Sequence, residues 1–282
     1  GGLPLIAYRL PPGKIIRGVT KRLGIGLYSE RFRNSEAGMR ALDAHLDAGH
    51  PVGLQASVYW LPYFPKDMRF HFNAHNMVAY GREDSQYLIS DPSFEAVVTI
   101  NRESLKRARF VKGMLAPKGL LYYPNQLPSQ INFAQAIRRA IKMTTRMMLY
   151  SPVPIAGING INFLSKKIRK LGKTHDKQEN DNKQFLGHIV RMQEEIGTGG
   201  AGFRFIYASF LQEAAELIAL PQLNQVSESF TQAGDEWRCF ALYAAKMCKN
   251  RMAMDYDKLA DQLQHCATLE KAAYRQLQQA IR

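Results

Sequence analysis

Phe70-His71-Phe72-Asn73-Ala74-His75-Asn76-Met77-Val78-Ala79-Tyr80-Gly81, the turn Arg82-Glu83-Asp84-Ser85, and Gln86-Tyr87-Leu88-Ile89-Ser90-Asp91-Pro92 are the stretch on which the fold turns. Two runs rich in aromatic and aliphatic residues flank a short polar turn, the pattern of an antiparallel hairpin. A turn centred between Glu83 and Asp84 sets His75 opposite Asp91 or Pro92 on neighbouring strands. A carboxylate there accepts from one imidazole nitrogen, fixes the tautomer and stabilises the imidazolium, which leaves the other nitrogen to act as a base. In an arbitrary hairpin the same pair serves equally to pin the strand ends, because a His–Asp pair alone is a weak signal.

Around this hairpin the first 124 residues read as short strands and turns. Leu3–Leu10, Ile15–Val19, Val52–Tyr59, Phe70–Tyr80, Tyr87–Ser90, Ala96–Ile100 and Gly119–Tyr123 are the expected strands, punctuated by Gly and Pro. Two helices interrupt them. Ser35–Ala48 carries Met39, Leu42 and Leu46 on one stripe and stops at Gly49, and Arg102–Phe110 follows Asn101 as N-cap. From Pro128 onward the period changes to long helices, expected at Ser129–Tyr150, Ile158–Leu171, Asp176–Glu195, Phe203–Leu220, Gln222–Asn250 and Tyr256–Ile281. The fold class is therefore α+β: a mostly antiparallel sheet domain over residues 1–126, followed by an all-helical domain over 127–282.

The chain has 282 residues with 46% hydrophobic and 22% charged side chains, enough for one large domain or two ordinary ones. Three cysteines, Cys239, Cys248 and Cys266, come too late and too few for a disulfide framework and lack the paired spacing of a zinc site. A reducing, cytoplasmic home follows. No apolar run is long enough to span a membrane, and no two histidines pair with a carboxylate at ligand spacing on one helix, so no metal is expected. The formal net charge is +14. Much of it lies in Arg138, Arg139, Lys142, Arg146, Lys166, Lys167, Arg169, Lys170 and Lys173, a block without an acidic residue. Such a block attracts an anionic partner, although a plain solvated helix face reads the same way. A nucleic-acid partner is not expected, because no nucleic-acid motif accompanies the charge.

"GGLPLIAYRL", "LDAGHPVGLQASVYWLPYF", "HFNAHNMVAYG", "YLISDPSFE" and "GTGGAGFRFIYASFLQEAA" follow one another in this order along the chain. In that order they resemble the butirosin biosynthesis protein H family, and His-x-x-Val-x-x-Gly followed by Asp-Pro resembles papain-like cysteine enzymes of the C39 type. The resemblance implies a papain-like sheet domain and an acyltransferase of specialised metabolism. Such an enzyme takes an acyl group from an acyl-carrier-protein thioester, whose phosphopantetheine belongs to the partner, onto a cysteine. It then passes the group to an amine or hydroxyl acceptor. Mapped onto this chain, His75 is the base and Asp91 its orienting partner. The charge reading adds Arg138, Arg139, Lys142, Lys166, Lys167 and Lys170 as a landing surface for an acidic carrier.

This chain departs from the family in one respect. The family's nucleophilic cysteine lies upstream of the glycine-rich stretch with which this sequence starts, and no cysteine here precedes Cys239. The expectation is that a cysteine-bearing segment is missing or is a separate polypeptide; the competing reading is a non-catalytic scaffold on the same fold. A cysteine peptidase or thioesterase is a further alternative, since the same triad serves if water replaces the acceptor.

Three further features are weighed. Gly197–Gly202 lacks the Lys-Ser/Thr of a phosphate loop. It reads either as a break between packed helices or as a loop at the cleft, with Gly199 and Gly200 in the loop and Arg204 and Tyr207 one turn apart on the next helix. Tyr59 and Trp60, in the cluster Tyr59-Trp60-Leu61-Pro62-Tyr63-Phe64-Pro65, read as an acyl-pocket wall or as ordinary core. Gln55 reads as structural. A helical domain with many apolar faces is also compatible with a homodimer.

Overall fold

The computed structural model describes residues 7, 8, 10–173, 179–195 and 197–281. Contacts divide the chain into two units: Pro11–Ile131, and Asn132–Arg282 together with Gly1–Leu10. The expected order, an antiparallel sheet first and helices after it, is what the described residues adopt. No described helix is long and apolar enough to cross a membrane.

The first unit runs α1 (Pro12–Leu23), β1 (Gly26–Glu30), α2 (Ser35–Asp47), β2 (Val52–Ala56), β3 (His75–Glu83), β4 (Gln86–Ser90), β5 (Val98–Asn101), α3 (Arg102–Phe110) and β6 (Leu121–Gln126). Its six strands lie in the order β1-β6-β2-β3-β4-β5, with every neighbouring pair antiparallel. Met39 and Leu42 of α2, Leu54 of β2, Met77 of β3, Ile89 of β4 and Leu105 of α3 are buried in one core. A polar clamp holds α2 to the sheet: the Tyr87 hydroxyl donates to Asp43 at 2.6 Å, and Arg102 donates to Asp43 at 2.6 Å and to the Tyr87 oxygen at 2.9 Å. The Arg109 guanidinium is fully buried and donates to the carbonyls of Gly38 and Gly119, both at 3.0 Å. Burial pushes its pKa down to about 10, against the pull of Tyr87 and Asp43.

Some expected elements change. Ile15–Val19 belongs to α1 and not to a strand. The helix opens on a proline, ends at Gly24 in the left-handed conformation with φ 71°, and places Ile15, Ile16 and Val19 at helical spacing, so its period overrides their β propensity. The expected strand Leu3–Leu10 falls largely outside the described residues, and Ala7, Tyr8 and Leu10 join no ladder. β3 starts at His75 and not at Phe70, because the backbone before it bonds elsewhere: the Phe72 carbonyl accepts from Val58 N–H and that of Asn73 from the Gln55 side chain. The hairpin turn is Asp84-Ser85, with Glu83 opposite Gln86 and Asp84 at φ 53°.

The second unit holds α4 (Phe133–Tyr150), α5 (Gly157–Leu171), α6 (Glu179–Glu194), α7 (Arg204–Leu217), α8 (Gln222–Cys248) and α9 (Tyr256–Ala280). The expected helices are present within a few residues at each end; the first three positions of the one expected at Asp176–Glu195 lie outside the described residues. Leu211, Phe230, Trp237, Phe240, Leu263 and Leu277 are buried in its core. Small residues let the helices approach: Ser165 Oγ donates to the Ala260 carbonyl and Ser227 Oγ to that of Ala208, both at 2.8 Å.

A buried ion pair crosses this core. Arg204 Nε and Nη2 lie 2.9 and 2.7 Å from Glu270 Oε1, which also accepts from Trp237 Nε1 at 2.5 Å. The guanidinium carbon stands 4.3 Å from the centre of the Trp237 ring and 5.4 Å from that of Tyr8. Tyr8 fits because Gly202 has no side chain: a Cβ there meets Tyr8 Cδ1 at 2.4 Å, and its φ is 57°. Removing one partner of such a pair leaves a buried charge uncompensated. Glu270→Leu is therefore expected to lower unfolding stability by about 3–5 kcal/mol in a urea titration, and Arg204→Met placed beside it to restore part of the loss.

Candidate functional site

β2 and β3 pair so that Ala56, the last residue of β2, lies opposite His75, the first of β3. On the other side β3 pairs with β4, which ends at Ser90 and delivers Asp91 just beyond the ladder. The register expected from sequence is close but not right: the turn is centred one residue later, between Asp84 and Ser85, and the irregularity between Ala79 and Gly81 takes back only part of that offset, so that Val78 pairs with Ser90. His75 and Asp91 therefore meet diagonally, across the end of the sheet. His75 Nε2 lies 2.7 Å from Asp91 Oδ2, with side-chain exposures of 12% and 0%.

Asp91 is satisfied from inside the protein. Oδ2 accepts from the Tyr63 hydroxyl at 2.8 Å as well as facing His75, and Oδ1 accepts from Ser93 N–H at 2.9 Å. Burial pushes its pKa up, but the bonds and charge of His75, with Ser93 and Tyr63, outweigh it and hold the carboxyl below its ordinary range. Burial and the charge of Asp91 raise the Tyr63 phenol, which stays protonated as a donor. Phe64 meets His75 edge-on at 5.6 Å, and Phe94 meets Phe64 and Tyr63 at 4.9 and 5.4 Å. This aromatic wall keeps water from the carboxylate. With Asp91 ionised, Nε2 carries the proton and donates, and the Nδ1 lone pair is left to take a proton from a reacting group. Among the described residues Nδ1 has no hydrogen-bond partner.

Tyr63 is the site residue that sequence reading passed over. It lay inside the aromatic cluster already noted, but nothing in its spacing tells it from Tyr59. Tyr59 and Trp60 begin a turn just past Ala56, at the same end of the sheet as His75. Tyr59 is 40% exposed and stacks on His71 at 4.1 Å, while the Arg107 guanidinium stands 5.7 Å from the Trp60 ring. Gln55 Nε2 donates to the Asn73 carbonyl at 2.9 Å and the Leu115 carbonyl at 3.2 Å.

The remaining expected site residues belong to the helical unit. Arg204 is spent on Glu270 and on the carbonyls of Ala201 and Gly202. Tyr207 packs among Phe210, Phe230 and Tyr274. Gly199 and Gly200 lie in a self-bonded loop: Gly200 N–H donates to Thr198 Oγ, Ala201 N–H donates to Glu194 Oε1, and Thr198 Oγ donates to the Gln193 carbonyl. The Gly200 and Ala201 N–H groups, two donors that an anion cradle would use, are taken up inside the protein. Of the six basic residues expected to dock a carrier, Arg139, Lys142, Lys166, Lys167 and Lys170 are exposed and Arg138 is half-buried. All three cysteines are helical, on α8 and α9, and Pro11–Ile131 holds none. Burial raises the Cys266 and Cys248 thiols. No group of three or more potential metal ligands occurs among the described residues.

Comparison with known families agrees with the motif reading. Residues 1–92 match the family described as Butirosin biosynthesis protein H, N-terminal, and residues 103–277 match a domain of unknown function, DUF4872. No curated protein matches the chain.

Tyr63→Phe is expected to lower unfolding stability by about 1.5–3 kcal/mol near neutral pH, since a bond to a charged acceptor is lost. Because the folded carboxyl of Asp91 titrates below its ordinary 3.8, this contribution is present above that value and fades as pH falls through the folded pKa. Urea titrations of both proteins across acid pH check it; a difference that does not change with pH removes the carboxylate from the explanation.

Proposed function

We propose, for a chain that belongs to the DUF4872 family and matches the butirosin biosynthesis protein H family over residues 1–92, an acyltransferase of antibiotic biosynthesis. Its donor is an acyl-carrier-protein thioester and its acceptor an amine or hydroxyl. The observation that carries this reading is the His75 Nε2–Asp91 Oδ2 contact of 2.7 Å, with Asp91 buried and Nδ1 unengaged. The nucleophile is a cysteine thiol. Pro11–Ile131 has no cysteine, and we take the thiol from outside Gly1–Arg282, on a further segment of this chain or on a separate polypeptide.

In the first half-reaction Nδ1 of His75 takes the thiol proton and the sulfur bonds to the thioester carbonyl carbon. The carbon–sulfur bond to the carrier's pantetheine breaks, and that sulfur leaves with the proton from the imidazolium. In the second half-reaction the acceptor gives its proton to Nδ1 as it bonds to the acyl carbon. The enzyme sulfur departs and is reprotonated. Asp91 holds the ring in one tautomer and offsets the imidazolium charge in both halves. Tyr63 and the backbone of Ser93 hold Asp91 in turn. The aromatic row of Phe64 and Phe94 gives the pair a low-dielectric setting, where that charge offset is largest.

The test uses the protein purified from its own source with any polypeptide that accompanies it, incubated with acylated carrier protein and a mixture of amine and hydroxyl acceptors. An acyl thioester on a cysteine, followed by acylated acceptor, is expected. His75→Ala is expected to cut turnover by about 10²–10⁴-fold in a protein that still folds, with a lowered thermal midpoint because a bond to Asp91 is lost. Retained turnover removes His75 from the mechanism, and release of free acid in place of acylated acceptor assigns a hydrolase.

A further inference from the structure

α4 and α5 carry the one long stretch of the chain without an acid: no Asp or Glu occurs between Glu103 and Asp176. Arg169 of α5 is neutralised by Asp257 and Asp261 of α9, at 2.7 and 2.5 Å. Among the described residues, Arg139, Lys142, Arg146, Lys166 and Lys170 make no ion pair. The inward side of α4 is settled by Ile137, Ile141 and Thr145, all buried. Its outward line is therefore Arg139, Met143, Arg146 and Tyr150, which fall at i, i+4, i+7 and i+11.

This line is not apolar on one edge and charged on the other. Cation and apolar side chain alternate along it, with Met143 37% and Tyr150 60% exposed. The apolar character continues into the loop after α4, where Val153 and Ile155 are 48% and 66% exposed. A helix that lies on a lipid surface needs its apolar residues gathered on a separate face. Alternation of arginine with methionine and tyrosine, the residue types enriched at protein interfaces, instead fits a protein partner. The absence of acids over both helices makes that partner negative.

We infer that the outward face of α4 and the loop that follows it dock an acidic protein, whose contact surface sets carboxylates around a small apolar centre. The step from such a protein to the acyl carrier rests on the proposed function; the surface and its charge do not. Arg146 and Lys142 meet the carboxylates and steer the encounter, and Tyr150 with Ile155 forms the apolar centre. The hydroxyl of Tyr150 is already fixed by Gln278 Oε1 at 3.0 Å, which holds the ring in place before a partner arrives.

The test titrates the protein with a holo acyl carrier protein, fluorescently labelled on its pantetheine thiol, and follows anisotropy at low and high salt. Binding that weakens with salt is expected. Arg146→Glu and, separately, Tyr150→Ser are each expected to raise Kd by about tenfold or more, with unchanged circular dichroism because both side chains lie on the outward face. Unchanged affinity in both variants, or capture by phosphatidylglycerol vesicles without carrier binding, overturns the inference. His75→Ala is expected to bind the carrier as tightly as the parent. Carrier binding that depends on Arg146 without any acyl transfer would falsify the proposed function alone; transfer that is indifferent to both surface variants sinks the docking face alone.

Discussion

A carboxylate cut off from water has to find its hydrogen-bond donors within the protein, and the end of the sheet is arranged around that demand. Asp91 sits one residue past the last rung of β4, with its side chain closed to solvent. Three donors converge on it from three parts of the chain: the start of β3, the loop after β2, and the turn that Asp91 itself begins. Each donor is placed by something else. His75 is fixed by pairing with Ala56, Tyr63 by its edge contact with Phe94, and Ser93 by the backbone two residues on. An orphaned carboxylate in such a place costs several kcal/mol or gives up its charge. The charge is kept, and so the imidazole beside it is held in one orientation.

The helical unit solves a similar problem with opposite sign. There the buried group that needs partners is the Arg204 guanidinium, and Glu270, Trp237 and two loop carbonyls supply them. The glycine-rich segment is shaped by this requirement. Its carbonyls turn toward Arg204, its N–H groups toward Thr198 and Glu194, and Ala201 and Phe203 accept positive φ as the cost of doing so.

Periodicity made the sheet-then-helix order legible, because Met39, Leu42 and Leu46 or Leu259, Leu263 and Leu277 repeat at a spacing that only a one-sided helix explains. The His–Asp meeting was legible too, from the hairpin alone, although a turn centred one residue later than expected moved the register and made the contact diagonal, an offset that the bulge at Tyr80 only partly takes back. α1 was not legible: Ile15, Ile16 and Val19 argue for a strand locally, and the proline before them and the glycine after them argue for a helix only once the length between is fixed. Tyr63 was hidden by its neighbours, since one tyrosine among four aromatic residues shows no sign of a carboxylate many positions away. The partner of Arg204 was hidden for a related reason. Sequence reveals a charged residue beside a glycine-rich run, and its neutralisation by Glu270 is a contact between helices that no local pattern encodes.

Tyr8 and Trp237 stand almost the length of the chain apart and meet edge-on at 6.0 Å. Everything from Pro11 to Ile131 lies between the residues on either side that belong to the helical unit, so the sheet unit has the topology of an insertion. The Tyr8 contact closes a very large loop, yet the entropy of closure grows only with the logarithm of length, about 0.6 kcal/mol per doubling. The thermodynamic burden is small and the kinetic one is not, because contacts of such high sequence separation form late. On the ribosome Tyr8 emerges well before the recess formed by Gly202, Arg204 and Trp237. Until then Tyr8 must wait for its partner ring through the synthesis of the whole sheet unit.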